Sequence, residues 1–119
     1  MNQTPISDCL FCRLAAGEGD LIWQSETAAA FNDIHPQAPI HILVVPRRHI
    51  VSLAETNPSD QAVLGDLLLS VAEVARQSGL EPDGYRVIIN TRDHGGQVVE
   101  HLHLHILGGE PIGPLRARS

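Results

Sequence analysis

The segment His101-Leu102-His103-Leu104-His105-Ile106-Leu107 limits the folds open to this chain more tightly than any other. Strict alternation over seven residues has the two-residue period of a β-strand, which sends successive side chains to opposite faces. The pattern predicts a strand over residues 99–107 with Leu102, Leu104 and Ile106 facing a covered core. His101, His103 and His105 then project the other way at ~6.6 Å intervals, as three neighbouring imidazoles on one exposed face. A helix is available to cover the apolar face. Between Asp60 and Ser78 the residues Val63, Leu64, Leu67, Leu68, Val71, Val74 and Ala75 repeat at helical spacing. Asn57 supplies an N-cap, Pro58 a tolerated first-turn proline, Asp60 a negative charge at the positive end of the dipole, and Gly79 a C-terminal cap.

The remaining elements are shorter. Residues 9–16 read as a helix ending at Gly17, followed by a turn to Asp20. Residues 21–24 and 28–32 read as two strands joined through Ser25-Glu26, and the prolines of residues 33–39 break the pattern into an exposed loop. Residues 40–45 are apolar on both faces except at His41, as in a central strand, and Pro46 ends it because it has no N–H to donate. Residues 85–91 alternate as a strand, and Asp93 to Gly96 read as a tight loop. The sum is one α+β domain over residues 1–119: a five-stranded antiparallel sheet, one long helix on one face and a short N-terminal helix.

Composition narrows the chemistry. All eight basic residues are Arg, so a Schiff-base lysine and the lysine-bearing phosphate loop are excluded, and no G-x-S-x-G elbow is present. A formal charge of -6 argues against nucleic acid or an anionic lipid surface as partner. No apolar run approaches the roughly 18 residues a membrane helix needs, and residues 1–8 carry no basic segment ahead of an apolar one; a cytoplasmic protein is expected.

Seven histidines are the clear excess. Thr or Val would serve a purely structural strand better than three imidazoles, so the alternating segment points to function, as a metal centre of His101, His103 and His105 or as a nucleophile with its neighbours. Cys9 and Cys12 have the C-x-x-C spacing of metal binding or redox chemistry, although two ligands alone do not complete a site. His41 reads as a hydrogen-bonded structural residue, and His35 and His94 are loop residues without an assigned role. Taken singly, Phe11, Phe31 and Ile34 are core residues and Asn90 is a turn cap.

The His101–Leu107 segment, together with Phe11, Phe31-Asn32-Asp33-Ile34, Pro46-Arg47-Arg48-His49-Ile50, Asn90, Gly95-Gly96-Gln97 and Leu107-Gly108-Gly109, resembles the histidine triad (HIT) family in its Hint-like branch of nucleoside phosphoramidate hydrolases. The match runs over nearly the whole chain. The resemblance implies a nucleotide-binding hydrolase that cleaves purine nucleoside phosphoramidates, or related mixed anhydrides and dinucleotide polyphosphates, at the α-phosphate. It makes His103 the nucleophile of a covalent nucleotidyl-histidine intermediate, with His101, His105 and His49 as the other catalytic histidines. His103 must then present an unprotonated nitrogen, its other N–H held by an acceptor such as a backbone carbonyl.

In the same way Asn90 is implied to contact phosphate or the leaving group, Gly95 and Gly96 to allow close backbone approach to phosphate, Asp33 to accept both ribose hydroxyls, and Phe11, Phe31 and Ile34 to line the base slot, with Gln97, Val98, His103 and His105 also among the nucleotide-binding residues. Val98 stands where the common Hint pattern has Ser, and the C-terminal tail lacks the tryptophan of some relatives. Zinc sites in some relatives imply a structural Cys₂His₂ zinc at Cys9, Cys12, His49 and His101, with no cofactor required for chemistry. The family also implies a homodimer. The alternative is a nucleotide-binding regulatory module with little turnover, for which Val98 is the encouragement.

Overall fold

Two apolar stripes in the central strands determine how the layers stack. The structure is a computed structural model and describes residues 8–115; the N-terminal segment through residue 7 and the last four residues of the tail lie outside the described residues. The sheet runs in the order β1-β2-β3-β5-β4 and is antiparallel throughout, with β1 Trp23–Gln24, β2 Ala28–Asn32, β3 Ile40–Pro46, β4 Arg86–Ile88 and β5 Leu104–Gly108. On one face Ala28, Ala30, Ile42, Val44, Leu104 and Ile106 pack against Val63, Leu67, Val71 and Val74 of the long helix. On the other, Ala29, Phe31, Leu43 and Val45 pack under Phe11 and Ala15 of the N-terminal segment. The alternation within β2 and β3 thus serves two cores, and the second core forms the floor of the functional site.

The long helix α2 spans Gln61–Gln77 and is entered through a 3₁₀ turn at Pro58–Asp60. Asn57 accepts from Ser59 N–H, while the Asp60 carboxylate accepts from Asn57 N–H in a capping box. The N-terminal helix α1 is only Leu10–Arg13 and continues as a wider turn, Leu14–Glu18, whose helical geometry breaks at Gly17 with φ 101°. Among the described residues no helix is long and apolar enough to cross a membrane.

Several boundaries differ from the expectation. The first strand is two residues, Trp23–Gln24, not residues 21–24. The fourth is Arg86–Ile88 rather than residues 85–91, because β5, its partner among the described residues, matches it over Arg86↔Leu107 to Ile88↔His105. Residues 93–95 lie in a one-turn helix, α3, Arg92–Gly95, rather than a plain loop; Arg92 has φ 57°, and Gly96 caps the turn in the left-handed region at φ 79°. Most consequential, β5 begins at Leu104, not at residue 99. His101 and His103 precede the paired strand, and Leu102 N–H instead donates to the Ile50 carbonyl at 2.6 Å. The three imidazoles do not share an exposed face: His101 is fully buried and His103 6 % exposed. Phe11 covers them, edge-on at ring separations of 6.1 Å from His101 and 5.1 Å from His103.

Candidate active site

His103 sits at the mouth of β5 on the α1 side of the sheet. Its Nδ1 lies 2.7 Å from the His101 carbonyl oxygen, which can only accept, so Nδ1 carries the proton and Nε2 holds the lone pair. Burial holds this imidazole below the ordinary histidine range, partly offset by that carbonyl and by the charge of Asp33. The ring is therefore neutral near pH 7, with an available nitrogen. It lines a cavity of about 750 Å³ whose walls include Phe11, Phe31, Asp33, Ile34, Asn90 and His105.

His105, with its ring 5.0 Å from that of His103, also lines the cavity. Burial, then the neighbouring His103 and His41, push its pKa down to about 4. Its Nδ1 lies 2.9 Å from His41 Nε2. His41 was expected to be structural; it is buried and hydrogen-bonded, but it also lines the cavity and lies 3.4 Å from the Asp33 carboxylate. Register explains the meeting. Leu43 faces His105 and Leu107 faces His41, so the two histidines are diagonal neighbours across β3 and β5. Asp33 N–H bonds the His41 carbonyl, extending β2 alongside.

Gly96 and Val98 line the cavity, and Val98 is 90 % exposed at its rim. Gln97, expected among the nucleotide-binding residues, braces the loop: its amide donates to the carbonyls of Val51 at 2.6 Å and Val99 at 3.0 Å and accepts from Arg92 N–H at 2.9 Å. The left-handed Arg92 is secured by that bond and by its ion pair with Glu55 at 2.7 Å. Asp20 and Leu21, which carried no signal in the sequence, also line the cavity, and every charged side chain on its wall other than histidine is acidic.

His101 and His49 do not line the cavity. His101 Nε2 donates to the Pro46 carbonyl at 2.8 Å, which leaves the Nδ1 lone pair aimed at the sulfurs of Cys9 and Cys12, each 3.4 Å away. His49 Nδ1 lies 3.2 Å from Cys12 Sγ. Burial, the largest cause, helps push the His101 pKa down to about 4, so this ring too stays neutral. The cysteines are reduced, and all four ligand atoms lie within 4.8 Å of one another. A zinc tetrahedron with Zn–S ~2.3 Å and Zn–N ~2.0 Å has edges of ~3.3–3.8 Å, so the sulfur–nitrogen separations fit. The carbonyl behind His101 is the support a metal-binding imidazole needs. His101, His103 and His105, by contrast, do not form a ligand cluster among the described residues.

Comparison with known proteins bears on this arrangement. The HIT domain model matches residues 16–112. Purine nucleoside phosphoramidase of Escherichia coli is 44% identical over 100 residues, 84% of each chain. Protein HitA of Neisseria gonorrhoeae is 43% identical over 105 residues, 87% of this chain and 97% of the other. A histidine triad protein from Clostridium difficile superposes with a TM-score of 0.88 at 36% identity, covering 93% of this chain and 98% of that one. A HIT family hydrolase from Legionella pneumophila gives 0.83 at 39% identity, covering 89% and 100%. With its histidines, its antiparallel sheet and its match over most of the chain in agreement, this protein belongs to the HIT family and is a HIT-family enzyme.

Proposed function

We propose that this HIT-family hydrolase cleaves purine nucleoside phosphoramidates at the α-phosphorus through a covalent nucleotidyl-His103. The observation that carries the reading is the 2.7 Å bond from His103 Nδ1–H to the His101 carbonyl, which presents an unprotonated Nε2 on the cavity wall. In the first step Nε2 forms a bond to phosphorus, the P–N bond to the amine breaks, and the amine departs after taking up a proton from solvent water. In the second, water adds to phosphorus, the His103–phosphorus bond breaks and a nucleoside monophosphate is released. In this reading His105, Asn90 and the backbone at Gly96 support charge on the phosphate oxygens, Asp33 holds the ribose, and Phe11, Phe31 and Ile34 flank the base; their shared lining of one cavity supports it. Among the described residues the charged side chains on the cavity wall other than histidine are Asp20 and Asp33, which favours a neutral or cationic amine over a polyphosphate as leaving group.

Cys9, Cys12, His49 and His101 hold a structural zinc in this reading, tying α1 to the segment before β5 and taking no part in the reaction. The protein acts in the cytoplasm as a homodimer joined through the exposed edge of β4, where Val87 stands 38 % exposed. Mass spectrometry of the intact protein, acid-quenched after brief mixing with an adenosine phosphoramidate, tests the mechanism. One nucleoside monophosphoryl adduct on His103 is expected. Nucleotide affinity without adduct or product would establish the binding-module alternative instead.

A further inference from the structure

Cys9 and Cys12 lie outside the cavity, and the proposed reaction asks of them only that they hold a metal. Their placement supports a second chemistry. Cys9 is the N-cap of α1, and its Sγ accepts from Cys12 N–H at 3.4 Å, so the side chain already folds back over the first turn toward Cys12. Both sulfurs lie 3.4 Å from one atom, His101 Nδ1, and within 4.8 Å of each other. Helical residues three apart have Cβ atoms ~5–6 Å apart and a disulfide needs ~3.5–4.5 Å, so a small shift at the N-cap joins the pair without unwinding α1. Access is unequal, with Cys9 half-buried and Cys12 buried. An oxidant meets Cys9 first, and Cys12 stands behind it as the resolving sulfur. Two contacts carry the change to the cavity. Joined sulfurs leave His101 Nδ1, whose ring is fully buried with Nε2 committed to the Pro46 carbonyl, while the His101 carbonyl holds the His103 proton. Phe11 sits between the two cysteines in α1, covers both histidines and lines the cavity, so it moves with the bridge.

We propose that Cys9 and Cys12 are a peroxide-oxidised dithiol whose disulfide releases the metal and weakens nucleotide binding until a dithiol reductant reverses it. The Cys9 sulfur attacks a peroxide oxygen, the O–O bond breaks, and a sulfenic acid and one water form. Cys12 sulfur then attacks Cys9 sulfur, the S–O bond breaks and a second water leaves. The sulfurs lose two electrons and the peroxide gains them; the two protons come from the thiols or, where zinc has displaced these, from solvent. Metal release rests on the zinc reading and weakened binding on the nucleotide reading, whereas the disulfide rests on neither. Zinc-loaded wild type treated with hydrogen peroxide tests it. Both reduced thiols should disappear, and the tryptic peptide ending at Arg13, which carries both cysteines, should lose ~2 Da. Zinc should pass to a chromophoric chelator and AMP affinity should fall at least fivefold, with dithiothreitol and zinc restoring it. Reduced protein stripped of zinc should keep AMP affinity within twofold, which separates the bridge from loss of metal. Thiols that survive peroxide or gain oxygen without pairing overturn the proposal, as does a complete disulfide with unchanged AMP affinity or stripped protein as weak as oxidised. Cys9→Ser cannot bridge, and peroxide should move its AMP affinity less than twofold; if it does not fold, wild-type thiol count and peptide mass carry the test. Reduced protein that binds no zinc, or no AMP, refutes that reading and the matching consequence of the bridge, while the peptide mass still decides the bridge itself.

Discussion

Phe11 joins the site to the stability of the fold, and Phe11→Ala is the substitution whose cost is most fully set by the surroundings. The side chain is 5 % exposed, meets Phe31 edge-on at 5.4 Å and covers both His101 and His103. Truncating a buried Phe to Ala costs about 3–5 kcal/mol, with edge-to-face contacts contributing about 0.5–1.5 kcal/mol each beyond burial. Here the vacated space opens onto the existing cavity and can fill with water, so the loss should lie near the lower end, about 3 kcal/mol. In urea, with m of about 2 kcal/mol per M, the unfolding midpoint should fall by about 1.5 M. Affinity for a purine nucleoside monophosphate, followed by calorimetry on the folded variant, should weaken about tenfold as one wall of the slot is lost. A stability loss below about 1 kcal/mol, or unchanged nucleotide affinity, would refute the placement of Phe11 as both core residue and slot wall.

Treating the protein with chelator should remove one zinc per chain by elemental analysis and lower Tm, since a metal that binds only the folded state stabilises it by mass action; phosphoramidase activity of the molecules that remain folded should persist. Lowering the pH should cost stability through His105. Its pKa is about 4 when folded against 6.5 unfolded, so the unfolded chain takes up the proton first and the contribution, complete above pH 6.5, is lost as pH falls toward 4. The full shift corresponds to about 3 kcal/mol, reduced to about 1–2 kcal/mol for a partly buried ring; denaturant titrations at pH 7 and pH 4.5 in His105→Asn and wild type should reveal that difference. Val98→Ser should leave Tm within about 1 °C, because the side chain is 90 % exposed, while shifting kcat/KM between amine leaving groups by less than about tenfold. A large uniform loss in kcat/KM would show that Val98 does more than border the rim.

The amino-acid sequence by itself settled the family, the antiparallel sheet with its long helix, and His103 as the central imidazole, because periodicity, caps and a seven-residue motif are local quantities read along the chain. It also named all four members of the thiol–imidazole cluster through the family resemblance, but not their facing, and it took the alternating histidines for one exposed face. Only the tertiary structure separated them, because β5 starts at Leu104 and Phe11 closes over the residues before it, sending His101 to the cysteines and leaving His103 and His105 to the cavity. His41 shows the limit most clearly. It lies 64 residues from His105, and nothing in its own strand distinguishes it from a core position until the register of β3 on β5 sets the two rings diagonally opposite. Which nitrogen of each ring carries its proton is determined by partners distant in sequence, and those exist only once the sheet has formed.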